Sequence, residues 1–173
     1  GYAREEGRVL PVIAPVCPAV INLIALRFPT LLSHVAPFHF PIEAAAMDVE
    51  KPAVILRLCP AGQTLLRQKA EHGSLDAIGP ASLRKAVFPL ISRETPEPVC
   101  GPGREQTDLK EPDLEGILQV GNVRNDMSVL EKAEAGLLHD IRILELYACD
   151  GGCFGSPLLT ENALIGVRRW QRS

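Results

Sequence analysis

An α/β fold, built on a mostly parallel sheet covered by helices, is predicted by three features of the chain. The apolar runs VLPVIA (9–14), AVILRL (53–58) and IRILELYA (141–148) read as buried strands. Segments of helical length lie between them, several opened by a proline. Strand and helix alternate along the chain, the order expected when helical crossovers join parallel strands.

The elements follow in turn. After the strand at 9–14, Pro18 suits a first helical turn, and that helix runs to about Phe28, because the residue before Pro29 is pushed away from helical geometry. A second helix covers 41–49, with Glu43 in its first turn. The strand at 53–58 ends at Cys59, and a helix follows from about 61 to 72. A short strand at 75–78 leads into a helix at 80–91, with Ser82 as a cap. Between 93 and 116 the composition shifts to seven Pro or Gly and ten charges in 24 residues, a solvated excursion. A strand at 116–120, an amphipathic helix at 126–135 stopped by Gly136, and the strand at 141–148 complete the pattern.

At 173 residues the chain is sized for one domain with its own core, 1–173. A net charge of −3 and 5% aromatic residues give no footprint for nucleic acid. Residues 9–26 carry no charge over 18 positions, which reaches membrane-span length. Pro11, Pro15 and Pro18 break that stretch and Asn22 interrupts it, so it reads as strand, turn and helix rather than a span. The chain opens without a secretory signal and without Met, which points to a cytoplasmic location and to a piece of a longer protein. Five cysteines, an odd number, suit a reduced compartment better than a disulfide framework.

Four of those cysteines carry the chemistry. Cys17, Cys59 and Cys149 each fall where an apolar run ends, the edge at which open α/β sheets collect ligands. Cys17 and Cys59 are each followed by proline at the start of a helix, whose free N–H groups favour thiolate. Cys149 and Cys153 bracket Gly151 and Gly152, with Gly155 behind. Those glycines permit a tight wrap and close backbone approach to a bound cofactor. Four thiolates are the ligand set of a 4Fe–4S cluster. Structural zinc ordinarily takes two close pairs, whereas here one pair is close and Cys17 and Cys59 stand apart. Iron–sulfur is the first reading; unliganded buried cysteines and zinc stay open behind it. Cys100, in the excursion, reads as an incidental thiol. His34, His39, His72 and His139 read as surface or helix-end residues, and Ser33 and Ser156 lack a nucleophile elbow.

APVCPAV (14–20), LRLCPAG (56–62) and LYACDGGCFGSPLL (146–159) resemble the three cysteine motifs of the C-terminal domain of the iron-only (FeFe) hydrogenase large subunit. In that family they read roughly T-S-C-C-P, M-P-C-x-x-K and M-A-C-x-x-G-C-x-G-G. The stretches 21–46 and 75–91 resemble the same domain, and the likeness runs from about residue 10 to 164. It implies part of the hydrogenase catalytic-domain fold, with Cys17, Cys59, Cys149 and Cys153 holding a 4Fe–4S cluster. In hydrogenases the last of these thiols also bridges to a two-iron subcluster.

The departures from the pattern matter. Val16 stands where the proton-relaying thiol belongs, Gly62 replaces the lysine that anchors a diatomic ligand, and Tyr147 replaces a methionine. The resemblance therefore implies electron transfer or redox and hydrogen sensing without hydrogen turnover. Its partners would be a ferredoxin-like redox protein or signalling modules of a longer chain. Two alternatives remain: a hydrogenase fragment carrying the two-iron unit, and a noncatalytic interaction domain with zinc or vestigial cysteines.

Overall fold

The computed structural model describes residue 7 and residues 9–47, 53–56, 59–69, 75–91, 115–159 and 162–170. The apolar run near the C-terminus forms β5, Ile143–Tyr147, the central strand of a three-stranded parallel sheet. Its neighbours are β1, Val12–Ile13, and β4, Ile117–Gly121. The registers set Val12 opposite Ile143, and Gly121 opposite Tyr147. Alternation along β5 turns Leu144 and Leu146 to one face, where both are buried. Helices α1 (Pro18–Arg27) and α5 (Val123–Glu134) close that face. Val20, Ile24, Leu130 and Ala133 meet Ile13, Phe28 and Leu31 there in one continuous core. Ile143, Glu145 and Tyr147 turn to the opposite face and stay half-buried.

A second, two-stranded parallel sheet pairs β2 (Ala53–Leu56) with β3 (Leu75–Ile78). Helix α3 (Pro60–Lys69) lies between these strands in sequence and packs on β3, and α4 (Pro80–Ile91) follows. Leu66 and Ala77 bury against Ala46 of α2 (Pro41–Met47), forming a small separate core. The expected parallel sheet covered by helices is present, and among the described residues its strands fall into two sheets. The reason lies at the outer edge of β1: Val35 bridges to Ile13, and the Ala36 N–H donates to the Ile13 carbonyl at 2.9 Å, which occupies the edge a further strand would need. Contacts between α1 and α3 join the two units.

Several boundaries move for local reasons. The strand expected at 9–14 shrinks to two residues, because Pro11 and Pro15 have no N–H to give a ladder. Helix α1 ends as expected before Pro29, and a 3-10 helix, Pro29–His34, carries the chain round to β1. Helix α5 begins three residues earlier than its apolar pattern suggests, because Asn122 Oδ1 caps it by accepting from the Arg124 N–H at 3.0 Å. Ser82 is not a cap but lies inside α4, whose first turn is anchored by the Gly79 carbonyl. Strand β3 and the limits of α4 match the sequence expectation. The 3-10 helix Gly152–Gly155 and helix α6, Ala163–Trp170, carry no signal that the sequence patterns reveal. Cys100, His72 and the excursion before Glu115 lie outside the described residues. Among the described residues no helix is long and apolar enough to cross a membrane.

Candidate metal centre

Every one of the four cysteines has its carbonyl fixed by a local turn, which sets where its thiol goes. Cys17 is the N-cap of α1, and its carbonyl accepts from the N–H groups of Val20 and Ile21, both at 3.1 Å. The Cys59 carbonyl accepts from Gln63 at 3.1 Å as α3 begins. The Cys149 carbonyl takes two donors, Gly152 at 3.1 Å and Asn122 at 3.2 Å, so the loop after β5 is bound to the loop after β4. The Cys153 carbonyl accepts from Ser156 at 3.3 Å. Pro18 and Pro60 start their helices where a missing N–H costs nothing. One amide also reaches a sulfur directly: the Gly62 N–H donates to Cys59 Sγ at 3.3 Å. That bond gives the Cys59 sulfur a backbone donor at the start of α3.

Burial pushes the Cys149 thiol up, and the neighbouring charges of Cys17, Cys59 and Cys153 push it further in the same direction. Cys17, Cys59 and Cys149 are half-buried and Cys153 is exposed; none is in a disulfide. Tyr147 stands among them, its hydroxyl raised to about 12 by burial, then by Glu145, Cys153 and Cys17. Among the described residues, no three His, Cys, Asp or Glu side chains close on a point that could hold one metal ion. A single zinc draws sulfur to about 2.3 Å from one centre. A cuboidal cluster ends its thiolates on different irons, so it asks for sulfurs that are neighbours without meeting. Four cysteine sulfurs are, by their chemistry, the donor set of such a cluster.

The three expected cofactor-cradling glycines divide by role. Gly151 and Gly152 adopt positive φ of 77° and 66°, conformations that favour glycine, and carry the chain from Cys149 to Cys153. Gly155 serves the chain itself, since a Cβ there would collide with the Asp150 carbonyl. Beside Cys153 lies a cavity of about 440 Å³, lined by Gln119, Gly121, Tyr147, Asp150, Cys153 and Phe154. Two of the described histidines have partners away from this centre: His34 bonds the Pro11 carbonyl at 2.9 Å, and His39 sits 3.9 Å from Glu43.

Two residues near the centre escape a reading of the sequence. Asn122 locks the two loops together, yet an isolated asparagine before a polar run carries no special signal. Asp126 is fully buried with both carboxylate oxygens unpartnered, and burial raises it to about 7. Its spacing from Leu130 and Ala133 (i, i+4, i+7) is the available clue, since all three lie on the buried face of α5.

No family model matches the chain, and no curated protein matches it. Solved structures do. The chain superposes on an FeFe-hydrogenase, HydA(deltaEFG), studied for stepwise H-cluster assembly, with a TM-score of 0.60 and 15% identity. That match covers 95% of this chain and 66% of the other. A second FeFe-hydrogenase, studied for oxygen inactivation through modification and degradation of the 2Fe subcluster of its H cluster, gives a TM-score of 0.60 at 13% identity. It covers 96% of this chain and 65% of the other. By fold, then, the chain is an FeFe-hydrogenase-like α/β domain. It spans just under two thirds of the length of these two structures.

Proposed function

We propose that this hydrogenase-like domain binds one 4Fe–4S cluster through Cys17, Cys59, Cys149 and Cys153, and passes single electrons without turning over hydrogen. The observation that carries the reading is electrostatic: three thiols from separate segments all bear on Cys149. A cluster held there supplies one-electron redox chemistry. The chain's own part is to present four sulfurs on fixed turns, to give Cys59 Sγ an amide donor, and to keep Cys149 half-buried. Cys153 is the exposed ligand and marks the side on which electrons enter or leave. Val16 has no exchangeable side-chain proton, and Gly62 has no side chain to anchor a diatomic ligand; both support electron transfer or redox sensing over hydrogen chemistry. The partner is a ferredoxin-like redox protein, or a signalling module of a longer chain.

Anaerobic reconstitution tests this. The expected product holds about four irons and about four sulfides per chain, with visible absorption that dithionite bleaches. Infrared spectra show no carbon monoxide or cyanide bands. Cys149→Ser removes most of the iron, and Cys100→Ser leaves it in place. A colourless protein holding one zinc, or a Cys149→Ser variant that keeps its iron, overturns the reading.

A further inference from the structure

Among the described residues Asp126 and Ser156 are the buried polar side chains, and Asp126 alone of the two titrates. Neither Asp126 oxygen has a hydrogen-bond partner. A buried carboxylate left unpaired is costly, and the usual relief is to hold a proton. Its place in the fold gives that proton a use. The Asp126 N–H bonds the Asn122 carbonyl at 3.0 Å, and the Asn122 N–H in turn donates to the carbonyls of Tyr147 and Cys149. Asp126 therefore sits four residues, about 6 Å along the helix axis, from the residue that holds the Cys149 loop. It lies on the face of α5 that meets the core, and Cys17 and Ala148 pack against that core at the same end of the sheet.

Among the described residues, no cation on the elements packed against α5 bonds the Asp126 carboxyl. Strand β4 brings Leu118 and Val120 to that core and β5 brings Leu144 and Leu146, none of them titratable, while Glu145 and Tyr147 lie on the other face of the sheet; α1 carries exposed Arg27 at its end and Cys17 at its cap, and the 3-10 helix carries His34. None of them bonds the Asp126 carboxyl. Arg124, Glu131, Lys132 and Glu134 of α5 itself are solvent-exposed.

We infer that Asp126 is a proton site coupled to the redox state of the centre, taking up a proton as an electron arrives and releasing it on oxidation. The inference rests on the cluster reading above. The balance is one electron from an external one-electron donor, such as dithionite in the test, and one proton from water. Both are taken up together, with Asp126 carboxylate becoming carboxylic acid. An added negative charge in the same low-dielectric body makes ionisation of Asp126 costlier. By reciprocity, a protonated Asp126 makes reduction easier.

The test is the midpoint potential of the reconstituted chain between pH 5 and pH 9.5. In the wild type the potential is flat at acid pH, where Asp126 is protonated in both states. It then falls by up to about 59 mV per pH unit, a tenfold change for one electron, over an alkaline window. In Asp126→Asn the curve is flat across that window. Redox-difference infrared spectra of the wild type at pH 8 give a second readout that needs no variant: a protonated-carboxyl band grows on reduction. A flat wild-type curve, an Asp126→Asn curve with the same slope, or a missing carboxyl band overturns the inference while four irons remain. If iron and sulfide fail to assemble, the cluster reading falls first and takes this one with it.

Discussion

Asp126 shows how one side chain sets a pH dependence for the whole fold. Its folded-state value of about 7 stands above the ordinary 3.8, with burial as the cause. Between about pH 4 and pH 7 the folded chain keeps a proton that the unfolded chain has lost. Stability contributed at this site is therefore complete at acid pH, falls as pH rises towards 7, and levels off beyond. Three pK units correspond to about 4 kcal/mol. Urea unfolding of the iron-free chain checks this: the wild type loses on the order of 3–4 kcal/mol between pH 4 and pH 8 relative to Asp126→Leu, which overtakes it at pH 8. Equal pH profiles for the two proteins reject the assignment. The acid itself is plain in the sequence, but its burial is not. The apolar pattern places the helix start at Asp126, where an exposed first-turn acid would be ordinary. Only the true start at Val123 puts it on the inner face beside Leu130.

At the scale of elements, the turn from β4 into α5 does the most with the fewest residues. Asn122 has a positive φ of 81°, caps α5 through Oδ1, and directs its N–H to Tyr147 and Cys149. Two substitutions separate these roles. Asn122→Ala loses the cap and keeps the backbone strain, and is expected to cost about 2 kcal/mol. Asn122→Gly loses the side chain but relaxes the strain, and is expected to cost only about 0.5 kcal/mol. Denaturant midpoints rank the three proteins; an alanine variant as stable as the glycine variant removes the strain argument. Proline-opened helices are the most legible elements, as α1 and α4 show, because Pro at N1 and a later breaker act locally. The start of α5 is not legible: its cap works through a backbone conformation that composition does not reveal.

At the scale of the molecule, the four cysteines straddle two sheets. Cys17, Cys149 and Cys153 extend from the three-stranded unit, while Cys59 begins α3 of the two-stranded unit. The units have separate cores, and α1 and α3 touch between them. A cluster held by these thiols, as proposed, would therefore clamp the units together as well as carry electrons. The iron-loaded chain is expected to melt in one transition. Removing iron, or substituting Cys59→Ser, is expected to lower the midpoint by roughly 10 °C, the shift that about 3–4 kcal/mol gives at this size, and to let the smaller unit melt first. Calorimetry with and without chelator reads both effects. Identical traces exclude a clamp.

Sequence alone determined the fold class, the parallel pairing and the four cysteines, because strand runs, proline starts and ligand identity are written in short local patterns. Tertiary structure decided the rest. It split the strands into two sheets, since Val35 and Ala36 close the outer edge of β1. It let the charges of Cys17, Cys59 and Cys153 act on Cys149, although Cys17 and Cys59 come from segments far upstream of the loop that carries the other two. It also buried Asp126 without a partner. These are contacts between segments far apart in the chain, fixed by how α1 and α5 share one face of β5, and no local pattern encodes them.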